Sequence, residues 1–228
     1  MGTANDLDIK SGLGVKVSGL ILAGGEGRRM SGQDKGLISL ADKPLVEYAI
    51  ECLMPLVDDL AISCNRNVDL YENYQLPCIS DTSLDENQES AQAAEMSFAG
   101  PMAGLAAGLK QAKHDWLLVM PCDTPLMTED VMAQLIQAIS RDSVATTQAV
   151  IFSHHGLQPL HGLYHKSMLP IFESCLAENK NALQRLLRSL DSIKIIEAKN
   201  AEHSFNNAND ITELQTIESL IVNTYARR

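Results

Sequence analysis

The chain is predicted to fold as an α/β domain, a mostly parallel sheet with helices on both faces. Two observations carry that prediction. Apolar runs rich in β-branched residues alternate with helical patterns, as expected when parallel strands are joined by covering helices. One of these runs, Trp116-Leu117-Leu118-Val119-Met120, is unbroken, which marks a central strand buried on both faces. The 228 residues suffice for one such domain with its own core.

The elements can be justified in order. Residues 1–14 carry Asp6, Asp8 and Lys10 with no apolar centre. They are expected to form a flexible tail, not a secretory signal, leaving 15–228 as a single domain. Residues 15–22 read as a strand that feeds Ala23-Gly24-Gly25. Pro44 is expected in the first turn of a helix whose apolar stripe is Leu45, Tyr48, Ala49, Cys52 and Leu53. Strands follow at 60–64 and 77–80, the second ending at Asp81. Residues 82–99 are polar and acidic without a period, and read as a long loop over the site. A small-residue helix is expected at 102–112. The strand at 116–120 ends at Pro121-Cys122-Asp123, and Thr128 caps a helix with Glu129 and Asp130 at its positive end. Residues 144–152 and 157–164 read as strands joined by His154-His155-Gly156. Helices at 167–177 and 182–190 and a strand at 193–198 come next. Asp210 and Glu213 form a capping box for a last helix bearing Ile211, Leu214, Ile217 and Ile221.

A net charge of −11 disfavours nucleic acid as a partner. No apolar stretch is long enough to span a bilayer, so no membrane partner is expected and the protein is read as cytoplasmic. Arg28, Arg29, Lys35 and Lys43 lie close together in sequence, and a local basic site on an acidic body suits a small anionic ligand. The five cysteines, Cys52, Cys64, Cys78, Cys122 and Cys175, are scattered with apolar flanks and read as buried free thiols, neither a disulfide framework nor a zinc site. Histidines 154, 155, 161 and 165 read as neutral residues at or near the surface, not as a metal site.

The chemistry centres on Leu22-Ala23-Gly24-Gly25-Glu26-Gly27-Arg28-Arg29-Met30 and the following Asp34-Lys35-Gly36. Three glycines after a first strand let backbone N–H groups approach phosphate oxygens. Arg28 and Lys35 add charge there, and Arg can hold two oxygens at once. No Gly-Lys-Ser/Thr closes the loop, so it is not a Walker loop, and its spacing is not that of a dinucleotide fingerprint. Asp123 follows the central strand, at the end where open α/β sheets place ligands. A carboxylate there can hold a Mg²⁺ that also binds triphosphate oxygens.

These segments resemble the nucleotidyltransferases that activate sugars and cofactors. Asp34-Lys35-Gly36-Leu37 resembles the molybdenum cofactor guanylyltransferases in particular. The resemblance extends to Lys43-Pro44-Leu45, Gly100-Pro101-Met102-Ala103-Gly104, Cys122-Asp123-Thr124-Pro125, Gln158-Pro159-Leu160 and Asn207-Ala208-Asn209. It implies a Rossmann-like, three-layer α/β/α nucleotidyltransferase fold, with a nucleotide-binding half over about 15–127 and an acceptor-binding half over about 128–228. It implies transfer of GMP from GTP to the phosphate of molybdopterin or Mo-molybdopterin, with Mg²⁺ (or Mn²⁺) as the cation and acceptor molybdoenzymes or their chaperones as partners. Arg28, Lys35 and Asp123 would be catalytic, and Asp123 would bind the metal. Leu22, Ala23, Gly24, Gly25, Lys35, Ser63, Asn65, Asp81 and Asp123 would bind GTP. Asp81 would take the guanine N1 and N2 groups. Pro159, Asn207 and Asn209 would stand on the acceptor side. The chain departs from the family at Ser63, where Asn is usual, and in the length of 82–99. The alternatives are a cytidylyltransferase or sugar-phosphate nucleotidyltransferase of the same fold, and a non-catalytic cofactor carrier.

Overall fold

The computed structural model describes residues 15–23, 33–80, 100–139 and 146–225. In chain order these form strand β1 (Val17–Leu22), the short strands β2 (Ser39–Leu40) and β3 (Lys43–Pro44), and helix α1 (Leu45–Leu53). Next come β4 (Asp59–Ser63), α2 (Val68–Tyr71), β5 (Cys78–Ile79), α3 (Pro101–Gln111), β6 (Trp116–Pro121) and α4 (Glu129–Gln137). The last third holds β7 (Ala149–Ser153), β8 (Leu157–His165), α5 (Leu169–Ala177), α6 (Leu183–Arg188), β9 (Ile193–Glu197) and α7 (Ile211–Tyr225).

Seven strands join in the order β5-β4-β1-β6-β8-β7-β9. Only β8 runs against its neighbours; the other pairings are parallel. The mostly parallel sheet expected from the apolar runs is therefore present. All six residues of β6 are buried, and they alternate between two cores. Leu118 and Met120 face Val46, Leu53, Val131 and Leu135 of α1 and α4. Leu117 and Val119 face Met102, Leu105, Phe172 and Leu183 on the opposite side. Each such side chain contributes roughly 1.5–3 kcal/mol by leaving water. The small residues of α3 have a use here: a Cβ at Gly108 would run into Leu20 and Leu117, so the helix lies close on the sheet. Ile217 of α7 packs with Leu40, Leu45 and Ala208, which fastens the C-terminal helix beside the start of α1.

Several boundaries differ from the sequence reading. Pro44 is not in the first turn of α1 but precedes it as the N-cap, with ψ 143°. Val46 is buried in α1 while Tyr48 is only half-buried. The β2–β3 ribbon has no sequence signature, since its turn residues Ala41 and Asp42 adopt positive φ without a glycine. β7 begins at Ala149, five residues later than expected. Residues 1–14 and 82–99 lie outside the described residues.

Candidate active site

The carboxyl ends of β1, β4 and β6 stand level. Leu22 is in register with Ser63 on one side and Pro121 on the other. The ladder continues one step beyond, with Ala23 donating to the Ser63 carbonyl at 2.9 Å and Cys122 donating to the Leu22 carbonyl at 3.1 Å. Open α/β sheets bind ligands beyond this edge. Asp123 emerges there, and its backbone is fixed from the far end of the chain: Ala208 donates its N–H to the Asp123 carbonyl at 2.8 Å.

Lys35 closes the site. Its Nζ donates to Asp123 Oδ2 and to Asn209 Oδ1, each at 2.6 Å. The three residues come from distant parts of the chain, 88 and 174 positions from Lys35. The Lys35 and Asp123 side chains are each 19% exposed, enough burial to weaken salt screening and enough solvent to let a ligand exchange in. Asp123 Oδ1 is buried and has no hydrogen-bond partner among the described residues. Leaving a buried acceptor unpaired costs about 1–3 kcal/mol. A hard divalent cation would use that oxygen, and the amide oxygen of Asn209 is a second donor of the right kind. The described residues contain no group of three or more His, Cys, Asp or Glu able to hold a metal. A cation at Asp123 would therefore take its remaining ligands from phosphate and water, which is the habit of Mg²⁺.

Asn209 is held by the start of α7. Asp210 Oδ1 accepts from the N–H of Glu213 at 2.9 Å, as the capping box requires. Glu213 reaches back one residue further than expected and takes the N–H of Asn209 at 2.8 Å. The cap thus orients the residue that contacts Lys35.

Lys35 begins a 3₁₀ turn, Lys35–Leu37, whose N-cap is Asp34. Asp34 Oδ1 accepts from the Gly36 N–H at 3.3 Å and from the Tyr71 hydroxyl at 2.6 Å. Its Oδ2 accepts from Asn67 Nδ2 at 3.0 Å. Gly36 permits this, because a Cβ there would overlap the Tyr71 hydroxyl.

Behind Asp123 the environment is dry. Thr124 Oγ1 lies 2.9 Å from His161 Nε2, both side chains buried. His161 reaches it because β8 bulges: Gln158 pairs with Phe152 and Gly162 with Ile151, leaving 159–161 out of register. Phe205 packs edge-on against His161 and stacks on His154. Burial lowers the His161 pKa to about 3, so the ring is neutral. This corrects the surface reading of that histidine, whereas His155 is exposed and His154 and His165 are half-buried. The cysteines also divide. Cys52, Cys64 and Cys122 are buried, with burial pushing the first two thiols up to about 12, but Cys78 and Cys175 are half-buried.

The remaining sequence-derived residues fall as follows. Leu22 ends β1 at the site and Ala23 follows it. Gly24, Gly25, Arg28, Arg29 and Asp81 lie outside the described residues. Ser63 is buried beneath α3, close to Gly104. Asn65 Oδ1 accepts from Ser80 Oγ at 3.3 Å, which puts it beside the residue preceding Asp81. Lys43 is engaged elsewhere, paired with Glu51 at 2.6 Å and seated over the Tyr48 ring. The Pro159 carbonyl accepts from the Tyr164 hydroxyl inside the bulge, and Asn207 is exposed. The sequence reading passes over Tyr71 and Asn67 and misplaces His161, because nothing in the local sequence links them to partners more than thirty positions away.

Comparison with known proteins places the chain in a family. The family described as MobA-like NTP transferase domain matches residues 19–193. A molybdenum cofactor guanylyltransferase from Pseudomonas putida strain KT2440 is 36% identical over 86% of this chain and 94% of its own. One from Aliivibrio salmonicida is 31% identical over 89% and 95%. The crystal structure of molybdopterin-guanine dinucleotide biosynthesis protein A from Archaeoglobus fulgidus superposes with a TM-score of 0.70 at 22% identity, covering 90% of this chain and 99% of that one. With the family matched across the glycine loop, β6 and Asp123, and with relatives aligned along most of their own length, the chain belongs to the MobA-like NTP transferases.

Proposed function

We infer that this chain transfers GMP from GTP to the phosphate of molybdopterin, releasing pyrophosphate and forming a guanine dinucleotide cofactor. The observation that carries the reading is the clamp of Lys35 between Asp123 and Asn209 at the carboxyl edge of the sheet. The curated relatives named molybdenum cofactor guanylyltransferase support guanylyl transfer in particular, and they do not favour the cytidylyl, sugar-phosphate or carrier alternatives.

The chemistry needs positioning more than a protein nucleophile. An oxygen of the molybdopterin phosphate attacks the α-phosphorus of GTP, a new P–O bond forms, and the bond to the β-phosphate oxygen breaks in line. The attacking phosphate is already ionised at neutral pH, so no general base is required. Lys35 holds a positive charge where the triphosphate gathers negative charge, in a setting partly withdrawn from water. Asp123, whose Oδ1 has no partner among the described residues, and Asn209 would hold Mg²⁺, which would offset charge on the phosphate oxygens when bound. Asn209 belongs to the acceptor half, so the same clamp would join nucleotide and acceptor halves of the domain. Molybdopterin or its molybdenum form, and acceptor molybdoenzymes or their chaperones, are the partners this reading requires. No helix among the described residues is long and apolar enough to cross a membrane.

Pyrophosphate release with molybdopterin and Mg²⁺, measured across GTP, CTP, ATP and UTP, tests the assignment. Release with GTP alone is expected. Preference for another nucleotide would overturn the guanylyl reading, and tight GTP binding with no release would favour a carrier.

A further inference from the structure

We propose that Tyr71 and Asn67 are positioning residues that act through Asp34 to aim Lys35 at the nucleotide. The proposal rests on the reading of Lys35 as a triphosphate-binding group, and it assigns work to a part of the fold the transfer chemistry does not otherwise use.

Asp34 is the immediate predecessor of Lys35 and the N-cap of its turn, in extended conformation with ψ 117°. Wherever the Asp34 carboxylate is held, the start of the Lys35 backbone is held with it. Two side chains from one short segment hold that carboxylate, one on each oxygen: Tyr71 on Oδ1 and Asn67 on Oδ2. The Tyr71 hydroxyl is not explained by its own surroundings. Tyr71 is fully buried among apolar core residues, and Phe would fill that space as well. Its hydroxyl is buried at a desolvation cost, and the bond to Asp34 offsets that cost. Burial, with help from Asp34, pushes the Tyr71 pKa well up, so the phenol keeps its proton and donates it.

Asn67 repeats the pattern. It stands at the N-cap of α2 in left-handed conformation, φ 51° and ψ 36°, and makes no capping bond with its side chain. An Asn there ordinarily accepts from its own helix. Here the amide is turned outward, to Asp34, instead. Gly36 completes the set, since any larger residue would displace the Tyr71 hydroxyl. The result is a brace from α2 and its N-cap to Asp34, the N-cap of the Lys35 turn. Lysine has a long flexible stem and loses much rotamer freedom when ordered. A fixed base shortens that search, so removing the brace should weaken the ligand contact even though neither brace residue touches the ligand.

A double-mutant cycle on the full chain separates bracing from general support. GTP affinity with Mg²⁺ would be measured by calorimetry for wild type, Tyr71→Phe, Lys35→Ala and the double variant. The expected result is a loss of about three- to tenfold in Tyr71→Phe that vanishes in the Lys35→Ala background. A residue that only supported the fold would cost the same in both backgrounds. Asn67→Gly, which keeps the left-handed backbone permitted, repeats the cycle should Tyr71→Phe not fold. The ammonium signal of Lys35 in ¹⁵N NMR gives an independent reading, and it should broaden or disappear in both variants. If Lys35→Ala itself leaves GTP affinity unchanged, the reading of Lys35 fails and the brace fails with it. If Lys35→Ala weakens binding but the brace variants match wild type, or lose affinity equally in both backgrounds, only the brace is overturned.

Discussion

Asp123 faces Lys35 and Asn209 at the open edge of the sheet, whereas Thr124, the next residue, turns into the aromatic packing beneath β8. The first environment is charged and partly wet. Lys35 can leave one oxygen for another of like charge, and Asp123 has an oxygen unclaimed among the described residues. The second is neutral and closed. Thr124 and His161 are buried against each other and share one hydrogen bond. The contrast teaches how one turn can be both adaptable and fixed. Contacts meant to be exchanged are built from charges near solvent, and contacts meant to hold the turn are built from neutral groups out of its reach.

Substitutions on the two sides should therefore read out differently. Asp123→Ala should lower turnover by roughly 100- to 1000-fold, the range for losing a preorganised electrostatic group, while its unfolding midpoint stays near wild type. Full activity in that variant would remove Asp123 from the chemistry. Lys35→Ala should weaken GTP binding about 10- to 100-fold, in line with a lost charge-assisted hydrogen bond, with calorimetry as the check. Thr124→Val belongs to the closed side. It should cost about 1–3 kcal/mol in denaturant unfolding by stranding His161, with GTP affinity far less affected than in Lys35→Ala. The reverse pattern would erase the distinction drawn between the two environments.

The smallest effect is expected from pH. The His161 pKa is depressed by burial to about 3 from an ordinary 6.5. Its contribution to stability is whole above pH 6.5 and is lost as pH falls toward 3, because the unfolded chain takes up the proton first. Unfolding midpoints measured at pH 7.5 and 5 should fall more steeply in wild type than in His161→Gln. Parallel slopes would mean that the ring is not held neutral by the fold.

The strands of the parallel half were legible because burial on both faces leaves runs such as Leu117-Leu118-Val119 that no surface segment shows. Asp123 and Lys35 were legible too, since a strand end and a glycine loop announce themselves locally. The brace was not. Tyr71 looks like any core aromatic, and Asn67 like any turn residue. Only the fold reveals that both point at one carboxylate. The β2–β3 ribbon was hidden for a related reason: Ala41 and Asp42 turn the chain at positive φ without the glycine that usually marks such a turn. His161 was misjudged because its burial depends on the bulge in β8, an offset that the alternating pattern of a strand does not encode.

The hydrogen bond from Ala208 to Asp123 has a consequence for how the molecule comes into being. As the polypeptide leaves the ribosome, β1, β4 and β6 are made within the first 121 residues and can pair. The strand that carries the aspartate then waits through some 85 further residues for its last support. Until Ala208 and Asn209 have emerged, the lysine has only one of its two acceptors. Synthesis order alone keeps the nascent chain from acquiring a finished clamp before Asn209 has been made.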